Sequence, residues 1–140
     1  MAKNSTIWLT EQDYNRLKHL LSDLTRQSRG MQAGVETLED ILDLARVVRP
    51  EKVPESVVTM NSRVLFEDVH TQEQGTVAIS YPAEADASEG KISVLSPVGA
   101  ALLGLAEDSE VELPLPHGGT RRIRILNVLY QPEAEGHFAL

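Results

Sequence analysis

The chain has 140 residues, enough for one domain or one domain with an appendage. Hydrophobic residues make up 41% and aromatics only 4%, so the core must be aliphatic. The net charge of −8 disfavours direct DNA binding, and the absence of cysteine excludes disulfides, zinc–thiolate sites and thiol nucleophiles.

Ile7, Trp8 and Leu9 form a short apolar lead-in. Thr10 has the chemistry of a helix N-cap, with Glu11 and Asp13 in the positive first turn. Tyr14, Leu17, Leu20, Leu21 and Leu24 then recur at steps of three and four, one face of an amphipathic helix. Thr25 to Gly34 loses the pattern and holds two glycines, so the turn is expected there. Val35, Leu38, Ile41, Leu42, Ala45 and Val48 restore it until Pro50 ends it. Two such helices joined by a short connection predict an antiparallel helical hairpin over residues 1–49. Two helices lying on a globular core is the alternative, since such stripes are ordinary core faces.

Residues 50–56 read as a proline-marked linker, and residues 57–140 as a second, β-rich part. Val57–Met60 and Ser62–Glu67 read as strand material, and Gly75–Tyr81 alternates until Pro82. Residues 82–91 are polar and predict a surface loop. Ile92 to Val94 alternates like a strand. Ser96 can then cap a short helix that starts at Pro97, carries Ala100 to Leu103 and stops at Gly104. Its leucine pair should plug the core. Val111, Leu113 and Leu115 alternate beside Pro114 and Pro116, as in an edge strand. Gly118-Gly119 signals a hairpin into the last strand, Thr120–Tyr130. In that strand Ile123, Ile125 and Leu129 should share one face. The whole reads as an α+β fold with an antiparallel sheet and one short helix.

No apolar run approaches the ~20 residues that cross a bilayer, and no signal-peptide core follows Trp8. No membrane partner and a cytoplasmic address are therefore expected. His19, His70, His117 and His137 lack metal-ligand spacing, and no phosphate loop follows Gly118-Gly119. No metal site and no cofactor are expected. Arg121, Arg122 and Arg124 are a weak nucleic-acid footprint in an acidic chain, and either pairing with local carboxylates or contact with a partner protein accounts for them.

Three blocks carry a family resemblance: Val57-Val58-Thr59-Met60-Asn61-Ser62-Arg63-Val64, Ile92 to Leu105, and Leu129-Tyr130-Gln131-Pro132-Glu133-Ala134-Glu135-Gly136. Together they resemble the bacterial Gre transcription elongation factor family. The resemblance implies a short N-terminal coiled coil, an FKBP-like C-terminal domain, and RNA polymerase as partner. It implies docking at the secondary-channel entrance, on the coiled coil of the largest subunit, with the helices pointing inward. The family's docking motif falls on Ser96-Pro97, with Val98 and Gly99 beside it. A plain core helix is the competing reading of this stretch, and the two are compatible.

Transcript-cleaving members of that family carry paired acids at the hairpin tip, where two carboxylates can hold a second magnesium ion. Here the tip is Arg26, Ser28, Arg29, Gly30 and Met31, and no carboxylate occurs from Thr25 to Gly34. The expectation is a non-enzymatic regulator that competes with cleaving members for the polymerase. A transcript-cleavage factor and an FKBP-like prolyl isomerase or chaperone are the alternatives.

Overall fold

The computed structural model describes residues 7–27, 32–114 and 118–136. Strand β1 (Trp8–Thr10) leads into helix α1 (Glu11–Gln27), followed by α2 (Gln32–Leu44) and strand β2 (Arg46–Val48). Thr10 caps α1, its Oγ1 accepting the Asp13 N–H at 3.0 Å. The two helices contact each other through the predicted stripe. Leu17, Leu21, Leu38, Ile41 and Leu42 are buried on it. The side chains of Leu24 and Val35 lie outside the described residues.

Helix α2 stops at Leu44, short of the predicted end at Pro50. Residues 46–48 pair in parallel with residues 8–10, Trp8 opposite Arg46. The Arg46 guanidinium lies 4.9 Å from the Trp8 ring centre, a cation–π contact between strand partners. Ala45 and Val48 do sit at helical spacing. Backbone pairing with a distant apolar strand overrides that local pattern.

Residues 50–56 are not a bare tether. Pro50–Lys52 forms one 3-10 turn, and Val53 is buried. Val57–Met60, read as a strand, is an irregular segment with a single bridge, Val57 to Ala106. It meets the chain after the short helix: the Val58 N–H donates to Leu105 O at 2.9 Å, and the Gly104 N–H to Val58 O at 2.8 Å.

Five strands make the main sheet: β3 (Arg63–Asp68), β4 (Gln74–Ser80), β5 (Lys91–Ser93), β6 (Glu110–Pro114) and β7 (Thr120–Tyr130). Their order is β5-β4-β3-β7-β6. The sheet is mixed, not purely antiparallel, because β5 runs parallel to β4. The polar 82–91 loop, with 3-10 turns at Pro82–Glu84 and Ala87–Glu89, carries the chain back so that β5 can do so. Strand β6 is an edge, as its proline predicts. Leu115, Pro116 and His117 lie outside the described residues, as do His137 and Phe138.

Strand β7 departs from simple alternation. Its pairing with β3 skips Leu126 and Leu129, so two bulges shift the register. Ile123 and Ile125 stay buried, but Leu129 turns out to 50% exposure instead of sharing their face.

Helix α3 (Pro97–Leu102) plugs the sheet. Leu102 and Leu103 are fully buried, each worth about 2 kcal/mol in apolar area removed from water. One continuous core unites α3, the sheet and the buried stripes of α1 and α2. The fold is therefore α+β, and the helices share the core of the sheet.

Candidate functional site

The turn before α3 is built by two serines. Ser93 O accepts both the Ser96 N–H (2.9 Å) and the Ser96 hydroxyl (2.7 Å). Ser96 Oγ in turn accepts the Gly99 N–H at 3.1 Å, so it caps the helix while anchored to β5. The Ser93 hydroxyl accepts the Leu95 N–H at 3.0 Å. Pro97 occupies the first helical position, where it lacks no needed donor. Gly99 is required sterically, because a Cβ there would collide with the Ser93 carbonyl.

The result is a rigid knuckle. Pro97 is exposed, Ser96 and Val98 are half-buried, and Gly99 is buried. Four residues singled out by sequence therefore form one turn with one exposed apex. The proposed hairpin tip cannot be placed beside it. Ser28, Arg29, Gly30 and Met31 lie outside the described residues, as does the Arg26 side chain.

The three sequence blocks that carried the family resemblance meet in space. Block 57–64 hydrogen-bonds to Gly104 and Leu105 of the second block. The third block closes on the same segment. Gln131 Nε2 donates to Pro54 O and Val57 O, each at 2.8 Å. The Thr59 hydroxyl donates to Glu133 Oε1 at 2.8 Å and shares a 2.8 Å hydrogen bond with the Ser62 hydroxyl. These polar residues hold backbone that has no sheet partner, which satisfies buried donors and acceptors without a strand.

Asp13 belongs to the same junction. The sequence placed it in the positive first turn of α1, and in the fold it is only 2% exposed. Its Oδ2 accepts the Met60 N–H at 3.2 Å. Burial, and then the nearby Glu133 charge, push its carboxyl up to about 7, against the pull of the Met60 N–H, Arg16 and Thr10. The Tyr81 hydroxyl is buried close by, near Asp13 and Arg16. Burial and the Asp13 charge push its ionisation upward, against Arg16. The sequence signal for this buried acid was absent, since an Asp at that helix position is usually solvated.

The arginines of β7 are occupied. Arg124 Nη2 meets Glu110 Oε2 at 2.6 Å, and Arg122 bridges Glu110 (3.3 Å) and Glu112 (2.7 Å). Arg124 holds the Glu110 carboxyl below its ordinary range. Arg121 pairs with Asp68 at 2.9 Å, whose other oxygen accepts the Thr71 and His70 N–H groups. The local-carboxylate reading of these arginines is the one the structure supports. Among the described residues no cluster of three His, Asp or Glu could hold a metal ion. No helix among them is long and apolar enough to cross a membrane.

Comparison with known proteins follows this geometry. The family model for the transcription elongation factor GreA/GreB C-terminal region matches residues 53–130, which contain the knuckle and most of the junction. The regulator of nucleoside diphosphate kinase of Escherichia coli (strain K12) is 41% identical over 105 residues, covering 75% of this chain and 77% of that protein. Transcription elongation factor GreA of Desulfovibrio desulfuricans is 39% identical over 97 residues, covering 69% of this chain and 60% of that protein. Among solved structures, a prokaryotic transcription elongation factor GreA/GreB from Nitrosomonas europaea superposes with a TM-score of 0.74 at 43% identity, covering 89% of this chain and all of that one. On the matched residues, the relatives' coverage and the shared fold, this chain belongs to the GreA/GreB transcription elongation factor family.

Proposed function

We propose that this protein is a non-enzymatic transcription regulator that binds RNA polymerase at the secondary-channel entrance. In this reading the Ser96–Gly99 knuckle docks on the coiled coil of the largest subunit. The sheet wrapped on α3 acts as the FKBP-like docking body, residues 57–140. Helices α1 and α2 form an antiparallel coiled-coil arm, residues 1–49, joined to the body through residues 50–56. The observation that carries the reading is the capped, exposed Pro97 apex on a buried helix, in a chain of this family. A rigid projection enters a partner surface with little ordering cost.

The arm is short: α1 has 17 residues, so it spans about 26 Å at 1.5 Å per residue. The stretch Thr25–Gly34 has no carboxylate to hold a second magnesium ion. We therefore read the protein as a competitor of cleaving family members and not as a cleavage factor. Its place of action would be the cytoplasm, with the polymerase. The test has two arms. Purified protein should be retained by core RNA polymerase. It should also inhibit the transcript cleavage that a cleaving family member stimulates in stalled complexes. Failure to bind polymerase would remove the proposal.

A further inference from the structure

A hollow lies on the main sheet beside β5, and one of its lining residues, Ser80, is the register partner of Ser93 at the base of the knuckle. Four register partners run across it: Tyr130 on β7 opposite Arg63 on β3, Arg63 opposite Ala78 on β4, and Ala78 opposite Lys91 on β5. Partners in register project to the same face of a sheet. All four line one cavity of about 430 Å³, together with Asn61, Ser80 and Glu84. Ala78 is its floor, and its single methyl leaves the space between two cationic side chains empty.

The cations are placed for a ligand and are weakly committed elsewhere. The Arg63 guanidinium has no ion-pair partner among the described residues. Its Nη1 passes close to Gly90, whose φ of +74° favours glycine in the turn that leads into β5. Lys91 meets the exposed carboxylate of Glu89 at 3.2 Å and also feels the charge of the exposed Asp86. On β7, by contrast, every arginine is ion-paired: Arg121 with Asp68, Arg122 with Glu110 and Glu112, and Arg124 with Glu110. In a chain of net charge −8, two cations facing one hollow, one of them without an ion pair among the described residues, stand out.

We propose that this hollow binds a small phosphate-bearing molecule. A guanidinium fork and an ammonium on either side of a small floor match a compact, multiply charged oxyanion. The Ser80 hydroxyl, also on the wall, already donates to Ile92 O at 3.1 Å, so the cations carry the recognition. Glu84 lines this cavity and also a neighbouring one of about 620 Å³, which contains Arg16, His19 and Tyr81. Glu84 is therefore suited to accept from a hydroxyl of the ligand, whose remainder would extend into the second cavity. Together the two spaces have the volume of small-molecule sites.

The experiment is calorimetric titration of the full chain at low ionic strength, where screening is weak. The first probe is inorganic pyrophosphate, and the second is adenosine monophosphate, which separates the phosphate group from the molecule attached to it. Saturable binding is expected for both. Arg63→Gln should weaken it by about tenfold or more, the usual effect of losing one charge-assisted hydrogen bond. Ala78→Leu should abolish it by filling the hollow, with the charges intact. Arg122→Gln, whose partners are elsewhere, should leave it unchanged. If Ala78→Leu fails to fold, Arg63→Gln and Lys91→Gln carry the comparison, each checked by a thermal melt. Absence of saturable binding, or equal affinity in wild type and Arg63→Gln, would overturn the proposal.

Discussion

The backbone N–H of Met60 donates to the carboxylate of Asp13 across 3.2 Å, so the first turn of α1 is tied directly to the irregular segment that opens the sheet-bearing part. The buried acid is a cost that the junction carries. Its oxygen supplies an acceptor that the Met60 N–H would otherwise lack.

That burial predicts a pH dependence. The Asp13 pKa is about 7 in the folded protein against an ordinary 3.8. Below the lower value both states hold the proton, and the group contributes nothing. Between the two values the unfolded chain releases its proton while the folded chain keeps it, so stability falls as pH rises. Above the upper value the penalty is complete. Asp13→Asn should therefore gain on wild type progressively through that window, by an amount on the order of a few kcal/mol. Asp68, Asp86 and Glu110, whose pKa values are lowered, act in the opposite direction and are common to both proteins. Urea unfolding of both proteins across the window checks it. A stability difference independent of pH would contradict the raised pKa.

The knuckle predicts an order of two substitutions. Ser96→Ala removes the cap and should cost about 1 kcal/mol. Gly99→Ala drives a methyl against the Ser93 carbonyl and should cost more, about 2–3 kcal/mol. Thermal melts should place Gly99→Ala lowest of the three proteins. Equal melting of Gly99→Ala and wild type would contradict the close approach of Gly99 to the Ser93 carbonyl.

The tip predicts a negative result in one assay and a positive one in another. With no carboxylate between Thr25 and Gly34, wild-type protein should not stimulate magnesium-dependent RNA cleavage in backtracked polymerase complexes. It should still slow cleavage by a cleaving relative. Strong cleavage by this protein alone would refute the competitor reading.

What the sequence made legible follows from the range of the forces involved. The α3 turn could be read because its cap, proline and glycine act within a few residues of one another. The stripes of α1 and α2 could be read because periodicity is local. The end of α2 could not, since residues 46–48 were claimed by Trp8–Thr10, far away in sequence. Val57–Met60 has strand composition, yet its hydrogen bonds go to Gly104, Leu105 and Ser62, which no local pattern announces. Leu129 was misplaced because a bulge changes facing without changing composition. The arginine row of β7 was legible as charge, but its neutralisation by β6 needed the register. At the candidate site, the four knuckle residues were found from sequence, while Asp13 and the Arg63–Lys91 hollow required the fold.

The central claim is that the Pro97 apex docks on RNA polymerase, and Pro97→Asp tests it most directly. The side chain is exposed, and the first turn of a helix tolerates Asp, so the fold should survive. Leu103→Asp is the contrast, because a charge at that fully buried position should unfold the protein. The measurement is affinity for core RNA polymerase, with a thermal melt of each variant alongside. The account predicts that Pro97→Asp melts close to wild type and loses at least about 1–2 kcal/mol of binding, the scale of a modest interface hot spot. A Pro97→Asp protein that melts normally and binds polymerase as tightly as wild type would contradict it.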